Sequence, residues 1–168
     1  AYEDKVSNEA LISKELTPVE ISSEKTNDVL GHKEIVLKNG ARIILKKTDF
    51  KNDEILFNAY SAGGGSLYPD SEESNVGHAA ELVSSAGLGK LDEIQLQKRL
   101  TGKLVRVSPY ITNTYEGLTG NASPQDLELL FQLSYLYFTE PRKDLEAYKS
   151  YVDKQVGFLK NITANPQF

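Results

Sequence analysis

The stretch Asn75–Gly89, NVGHAAELVSSAGLG, decides the fold class because the period of its apolar residues is helical. These residues recur three and four positions apart: Val76, Ala79, Ala80 and Val83. Gly87 and Gly89 follow, and glycine commonly ends a helix. The stretch therefore predicts an amphipathic helix.

The segments before this helix have the pattern of strands. Ile35–Leu37 and Ala41–Leu45 flank Asn39-Gly40, a dipeptide typical of tight hairpins. Glu54–Ser61 alternates between apolar and polar residues and predicts a third strand. A run of three glycines, Gly63–Gly65, then ends that strand. We expect ordered structure to begin near His32.

The segments after it continue as helix, two strands and two helices. Asp92 and Gln95 predict a capping box for a helix over Glu93–Leu100. Strands are predicted over 103–111 and 114–121, and a third helix is predicted to begin after Ser123 and to continue until Pro141. A last helix over 143–160 has its apolar stripe at Leu145, Tyr148, Val152, Val156 and Leu159. The order ββ-β-αα-ββ-αα predicts an α+β domain of two layers, a mainly antiparallel sheet with helices on one face.

Charge divides the 168 residues into two parts. Residues 1–30 carry seven acidic and three lysine side chains, a balance of −4 out of a total of −5. We therefore expect an acidic linker or lead-in segment over 1–30 and the α+β domain over 31–168. The chain contains no Met and begins with Ala, which we interpret as a piece of a longer protein.

Composition also excludes several function classes. There is no Cys, so disulfides, thiolate metal sites and a cysteine nucleophile are excluded. No Lys/Arg stripe supports binding to nucleic acid or to an anionic membrane. The densest apolar stretch, Leu127–Phe138, is too short to span a bilayer. We expect neither nucleic acid nor membrane as a partner.

The candidate site lies in the opening stretch. His78-Ala79-Ala80-Glu81-Leu82 differs at one position from H-x-x-E-H, a zinc-peptidase motif whose two histidines bind the metal and whose glutamate activates water. Leu82 has no lone pair to replace the second histidine, and the other histidine, His32, is not placed near His78 by any spacing. Judged by spacing alone, an ordinary solvated helix face is the favoured interpretation of His78 and Glu81.

Several blocks of sequence together resemble the pitrilysin/insulinase family of zinc metallopeptidases. Leu37–Leu45 is similar to the opening hairpin of that family, and Gly63–Tyr68 to the loop before its motif helix. Asn75–Val83 lies in the place of the motif helix, with His78 and Glu81 in register and Leu82 out of pattern. Asn121–Ser123 resembles a segment that ends a central strand, so the resemblance covers about residues 33–168.

The resemblance implies a function for the whole family member. These peptidases have two homologous halves around a chamber, one with zinc and one that has lost the motif. The segments after Gly87, at Leu100–Lys103 and at Pro141–Tyr148 look more like the zinc-free second half of bacterial members. Residues 1–30 would then belong to the connector between the halves.

The resemblance implies that this site has lost its chemical function. We expect no catalytic, cofactor-binding or metal-binding residue here, with His78 and Glu81 as motif remnants and Leu82 in the core. Glu146 and Asp153 are the acids near the register of the distal ligand, and the sequence does not choose between them. Zinc is expected in the other half of the parent protein.

The function expected is structural, as the wall of a chamber that confines a peptide substrate against other domains of the same chain. The domain alone is then not an enzyme, whereas the parent is a zinc-dependent endopeptidase, in a bacterial periplasm. Two alternatives stay open. One is an active peptidase with an atypical ligand set, and the other is a structural subunit related to processing-peptidase and respiratory core proteins.

Overall fold

The computed structural model describes residues 10–163, and these residues fall into two compact units. One unit comprises residues 12–54, and the other comprises residues 55–163 with residues 10 and 11. No helix of residues 10–163 is both long and apolar enough to cross a membrane.

The unit 12–54 is a three-stranded antiparallel sheet. Its strands are β1 (Ile21–Asn27), β2 (His32–Leu37) and β3 (Arg42–Leu45), and β2 lies in the middle. The predicted hairpin is confirmed between β2 and β3, where Gly40 has a φ of 89°. The Asn39 Oδ1 atom accepts a 3.0 Å hydrogen bond from the amide of Ala41 and supports the turn.

Strand β1 corrects the expectation that ordered structure begins near His32. Its side chains are exposed apart from half-buried Asn27, so no alternation of apolar residues marks it in the sequence. Backbone pairing with β2 and the ion pair between Glu24 and Lys33 hold it instead. Residues 1–9 of the predicted lead-in lie outside the described residues, and its role as a connector stays a prediction.

The unit 55–163 contains the second sheet and all the long helices. Its strands are β4 (Ile55–Ala62), β5 (Val105–Ile111) and β6 (Tyr115–Ala122), arranged β4-β6-β5 and antiparallel throughout. Its helices are α1 (Glu73–Ser85), α2 (Glu93–Leu100), α3 (Leu127–Thr139) and α4 (Leu145–Thr163). The α+β class is confirmed, with the strands divided between two sheets.

Local capping explains two helix starts. The Asp92 Oδ1 atom accepts a 2.8 Å hydrogen bond from the amide of Gln95, and the side chain of Gln95 accepts one from the amide of Asp92. This is the predicted capping box of α2. The Ser123 hydroxyl accepts a 3.2 Å bond from the amide of Asp126 at the turn that leads into α3.

The buried core lies between the second sheet and the helices. Helix α3 contributes Leu130, Leu133 and Leu136, and Leu118 of the central strand β6 is 2% exposed. Both α1 and α3 contact β5. This packing fixes α1, and hence the motif residues, over the edge of the sheet.

Helix α4 buries a different face from the one predicted. All five residues of the predicted stripe remain exposed: Leu145, Tyr148, Val152, Val156 and Leu159. Tyr151 is the residue of α4 that becomes buried, with half-buried Ala147 and Gln155 one turn to either side. Helix α4 packs against α1, where Tyr151 meets the polar side chains of His78 and Glu81.

Candidate functional site: the motif helix and its tyrosine

His78 and Glu81 project side by side from α1. Residues three positions apart on an α-helix lie on one face, and both side chains are exposed in the structure. Their environment is set by α4, which contacts α1. The predicted site residues are therefore together, but a third residue joins them.

Tyr151 of α4 bonds both motif residues with its hydroxyl group. It donates a hydrogen bond of 2.9 Å to Oε2 of Glu81, and its oxygen lies 2.8 Å from Nδ1 of His78. Because a phenol has one hydrogen, and that hydrogen points to Glu81, Nδ1–H of His78 is the donor in the second bond. The two rings also meet edge to face, 5.9 Å apart between centroids.

The environment of Tyr151 keeps its hydroxyl protonated. Burial raises the pKa of Tyr151, and the hydrogen bond to Glu81 and the negative charge of that carboxylate raise it further. A contact with Gln155 acts in the opposite direction on this pKa. The neutral phenol is therefore a stable link between two exposed polar side chains.

Leu82 stands at the second ligand position and is half-buried. It is thus not among the fully buried core residues, and as an aliphatic side chain it offers no metal ligand. That His78 and Glu81 are only motif remnants without catalytic function stays a prediction.

Neither of the two candidate distal acids lies at the site. Glu146 is 83% exposed at its side chain and binds Nζ of Lys149 at 2.8 Å. Asp153 is exposed. The residue that α4 directs to the motif is Tyr151. The family resemblance predicts a carboxylate in that helix, and no sequence motif marks a tyrosine at this position.

The side chains present do not fit a catalytic zinc ion. Such a site needs about three protein ligands with an open fourth position, and here the phenol of Tyr151 already bonds both His78 and Glu81. Within residues 10–163, no group of three His, Asp or Glu side chains could hold a metal ion. The arrangement can join two helices, and it provides no ligand set for a metal.

Comparison with known proteins gives this geometry a context. The chain is 27% identical over 149 residues to the probable zinc protease PqqL of Haemophilus influenzae, a match that covers 88% of this chain and 16% of that protein. It is 27% identical over 122 residues to a zinc protease PQQL-like protein of Arabidopsis thaliana, covering 72% of this chain and 12% of that one. No protein-family model matches the chain.

The solved structures agree in fold. The periplasmic protease PqqL from Escherichia coli superposes with a TM-score of 0.79 at 26% identity, over 96% of this chain and 18% of that one. This chain resembles a domain of PqqL. The ferredoxin protease FusC, solved as a mutant in complex with Arabidopsis ferredoxin, has the same fold, with a TM-score of 0.70 at 20% identity.

The PqqL likeness confirms the resemblance to pitrilysin-type metallopeptidases that the sequence blocks indicate. It also shows what share of a PqqL protein corresponds to this chain. The chain spans less than a fifth of the PqqL proteins that it matches. The activity of a whole PqqL-like protein is therefore a separate question from the chemistry of this α1–α4 site.

Proposed function

We propose that this chain is a non-catalytic domain of a two-half zinc metallopeptidase, in the half that lacks zinc. The observation that carries the proposal is the pair of hydrogen bonds that the Tyr151 hydroxyl makes, one accepted from His78 and one donated to Glu81. In a working site, the glutamate must be free to hold a metal-bound water and take its proton. Here its Oε2 atom accepts the phenol hydrogen instead.

The work of such a domain is to shape the chamber that encloses a peptide. The sheet face that points away from α1 and α3 supports this role, because it presents large side chains to solvent. Tyr60 is 69% exposed and Tyr115 is 48% exposed, with their rings edge to face at 5.8 Å. Rigid aromatic side chains of this kind contact varied peptides at little entropic cost.

The parent protein is proposed to be a zinc-dependent endopeptidase of the bacterial periplasm. The periplasmic location of the PqqL protease from Escherichia coli supports this location. Zinc would be held by the other half, and the partners of this domain would be the remaining domains of the same chain and the confined peptide.

Metal analysis of the purified 168-residue chain tests the proposal. The chain is mixed with two equivalents of zinc, passed through a desalting column and analysed by atomic emission. We expect less than about 0.1 zinc per chain, since the second ligand position is a leucine. One zinc retained per chain would overturn the proposal.

Activity of the full-length parent provides the second test. The active-domain alternative makes Glu81 the general base, so Glu81→Gln would abolish chelator-sensitive peptidase activity. We expect the Glu81→Gln parent to keep peptidase activity within about twofold. Tyr151→Phe is the matched control, because it breaks the same hydrogen bond and leaves the carboxylate in place.

The remaining alternative, a structural subunit without a peptidase partner, predicts a different result in the activity test. The parent would then show no peptidase activity before any substitution, and it would co-purify with a separate complex. Chelator-sensitive activity in the unsubstituted parent excludes this alternative.

A further inference from the structure

An apolar groove lies between the second sheet and the helices that cover it. Its volume is about 400 Å³, which is within the range of ligand-binding clefts. Small side chains leave the space, one on the sheet and two on α1: Ala59, Ala79 and Ala80. Gly117 of β6 lines the groove with its backbone, and a Cβ there would overlap the carbonyl oxygen of Ala59 on the neighbouring strand β4.

The walls of the groove continue with larger apolar side chains. Val83 of α1, Leu118 of β6 and Phe138 of α3 line it, and Phe138 is 69% exposed at the rim. A groove with such walls favours an aliphatic chain by the hydrophobic effect.

Glu116 is the one charged residue among the described residues that line this groove. It lies two positions before Leu118 on β6, so both side chains point to the helix layer. Glu116 is half-buried. Within residues 10–163 its side chain has no hydrogen bond or ion pair, and no lysine, arginine or histidine lines the groove.

We propose that the groove binds a lysine or arginine side chain of a peptide. The aliphatic stem would lie along Ala79, Ala80 and Val83, and the cationic end would reach the carboxylate of Glu116. Long basic side chains combine an apolar stem with a charged end. A carboxylate that loses water to an apolar wall is stabilised by a charge-assisted hydrogen bond.

This inference rests on the proposed function and deepens it, because it names the class of peptide that the chamber wall prefers. It concerns the helix-covered side of the sheet. The zinc measurement above does not depend on Glu116, so the two proposals can fail separately.

Titration of the ¹⁵N-labelled 168-residue chain with short peptides tests the groove. The probes are acetylated and amidated pentapeptides Gly-Gly-X-Gly-Gly with lysine, arginine, norleucine or glutamate as X. We expect saturable amide shifts at residues 79–83 and 116–118 with lysine and arginine, and at least fivefold weaker binding of the norleucine peptide. The glutamate peptide should not bind.

Glu116→Gln is the decisive variant, because it keeps the shape of the side chain and removes its charge. It should weaken the binding of the lysine peptide about tenfold and leave the binding of the norleucine peptide unchanged. Glu128→Gln is the matched control, since Glu128 is exposed on α3 away from the groove and accepts a hydrogen bond from Gln132. Ala80→Leu, which fills the groove, should weaken the binding of both the lysine and the norleucine peptides.

Four outcomes would overturn the inference. Equal affinity for the lysine and norleucine peptides would remove the role of Glu116, as would unchanged lysine affinity in Glu116→Gln. Amide shifts at the groove that depend on chain concentration alone would show that a second copy occupies it. The lysine peptide could also bind the 168-residue chain and fail to bind the full-length parent. That result would show that another part of the parent occupies the groove.

Discussion

Tyr151 links α4 to α1 through the hydrogen bonds of its hydroxyl group. Replacing it with phenylalanine keeps the ring, which is 8% exposed, and removes the hydroxyl bonds to His78 and Glu81. We expect Tyr151→Phe to lower the free energy of unfolding by about 1 kcal/mol, because the two exposed partners can bind water instead. Urea denaturation followed by circular dichroism measures the change.

Tyr148→Phe is the control for this substitution. Tyr148 lies on the same helix and is 49% exposed, so its change should stay within about 0.5 kcal/mol. An equal effect of the two substitutions would show that the hydroxyl of Tyr151 contributes nothing to stability.

Alkaline pH tests the environment of the same residue. The pKa of Tyr151 is raised by burial and by Glu81, and the pKa of Tyr137 is raised by burial. The folded chain therefore holds these protons more tightly than the unfolded chain, whose tyrosine pKa is about 10. The contribution of these two tyrosines to the free energy of unfolding is complete below that value. It is lost as the pH rises through their folded-state pKa.

Absorbance titration and urea denaturation at several alkaline pH values check this expectation. Tyr137 and Tyr151 should ionise at a higher pH in the folded chain than in the unfolded chain. The fall of unfolding free energy above about pH 10 should be shallower in Tyr151→Phe than in the unsubstituted chain. A fall of equal slope in the two chains would contradict the raised pKa of Tyr151.

Helix α1 carries a glycine that its own structure does not need. Gly77 lies in the helix interior, and a Cβ there would meet no atom within 4 Å. Gly77→Ala should raise the free energy of unfolding by about 0.5–1 kcal/mol, because alanine restricts the unfolded chain and favours the helix. Thermal and urea denaturation both report the change.

Gly64, in the turn before α1, is the opposite case and serves as the contrast. Its φ is 56°, and a Cβ there would lie 2.7 Å from the amide nitrogen of Tyr115. Gly64→Ala should destabilise the chain by about 2 kcal/mol or more. Stabilisation by both alanines would show that the turn does not constrain the start of α1.

The whole molecule distributes its core unevenly between the two units. No residue between 12 and 54 is buried, whereas Leu118, Leu130 and Leu136 of the unit 55–163 are at most 2% exposed. Local stability follows the density of buried contacts. We expect amides of β2 to exchange hydrogen at least tenfold faster than amides of β6 at neutral pH.

Hydrogen-exchange mass spectrometry measures both strands in one experiment. Each is the central strand of a three-stranded antiparallel sheet, so strand position and pairing are matched. Equal protection of β2 and β6 would show that the unit 12–54 is stabilised by something other than its own packing.

Elements marked by local chemistry are predictable from the sequence. The turn at Asn39-Gly40, the capping box at Asp92 and Gln95, and the cap at Ser123 each occur as expected, because neighbouring residues alone determine them. Strand β1 was not predicted, because it is held by pairing with β2 and its exposed side chains give no apolar period.

Local sequence also determines one part of the candidate site, and tertiary packing determines the other. By itself, the sequence determined that His78 and Glu81 share one face of a helix and that Leu82 supplies no ligand, because helix geometry and side-chain chemistry are local. Only the tertiary structure decided what faces them. The choice of Tyr151, 70 residues from Glu81, depends on how α4 packs against α1, and no pattern within α4 encodes that contact.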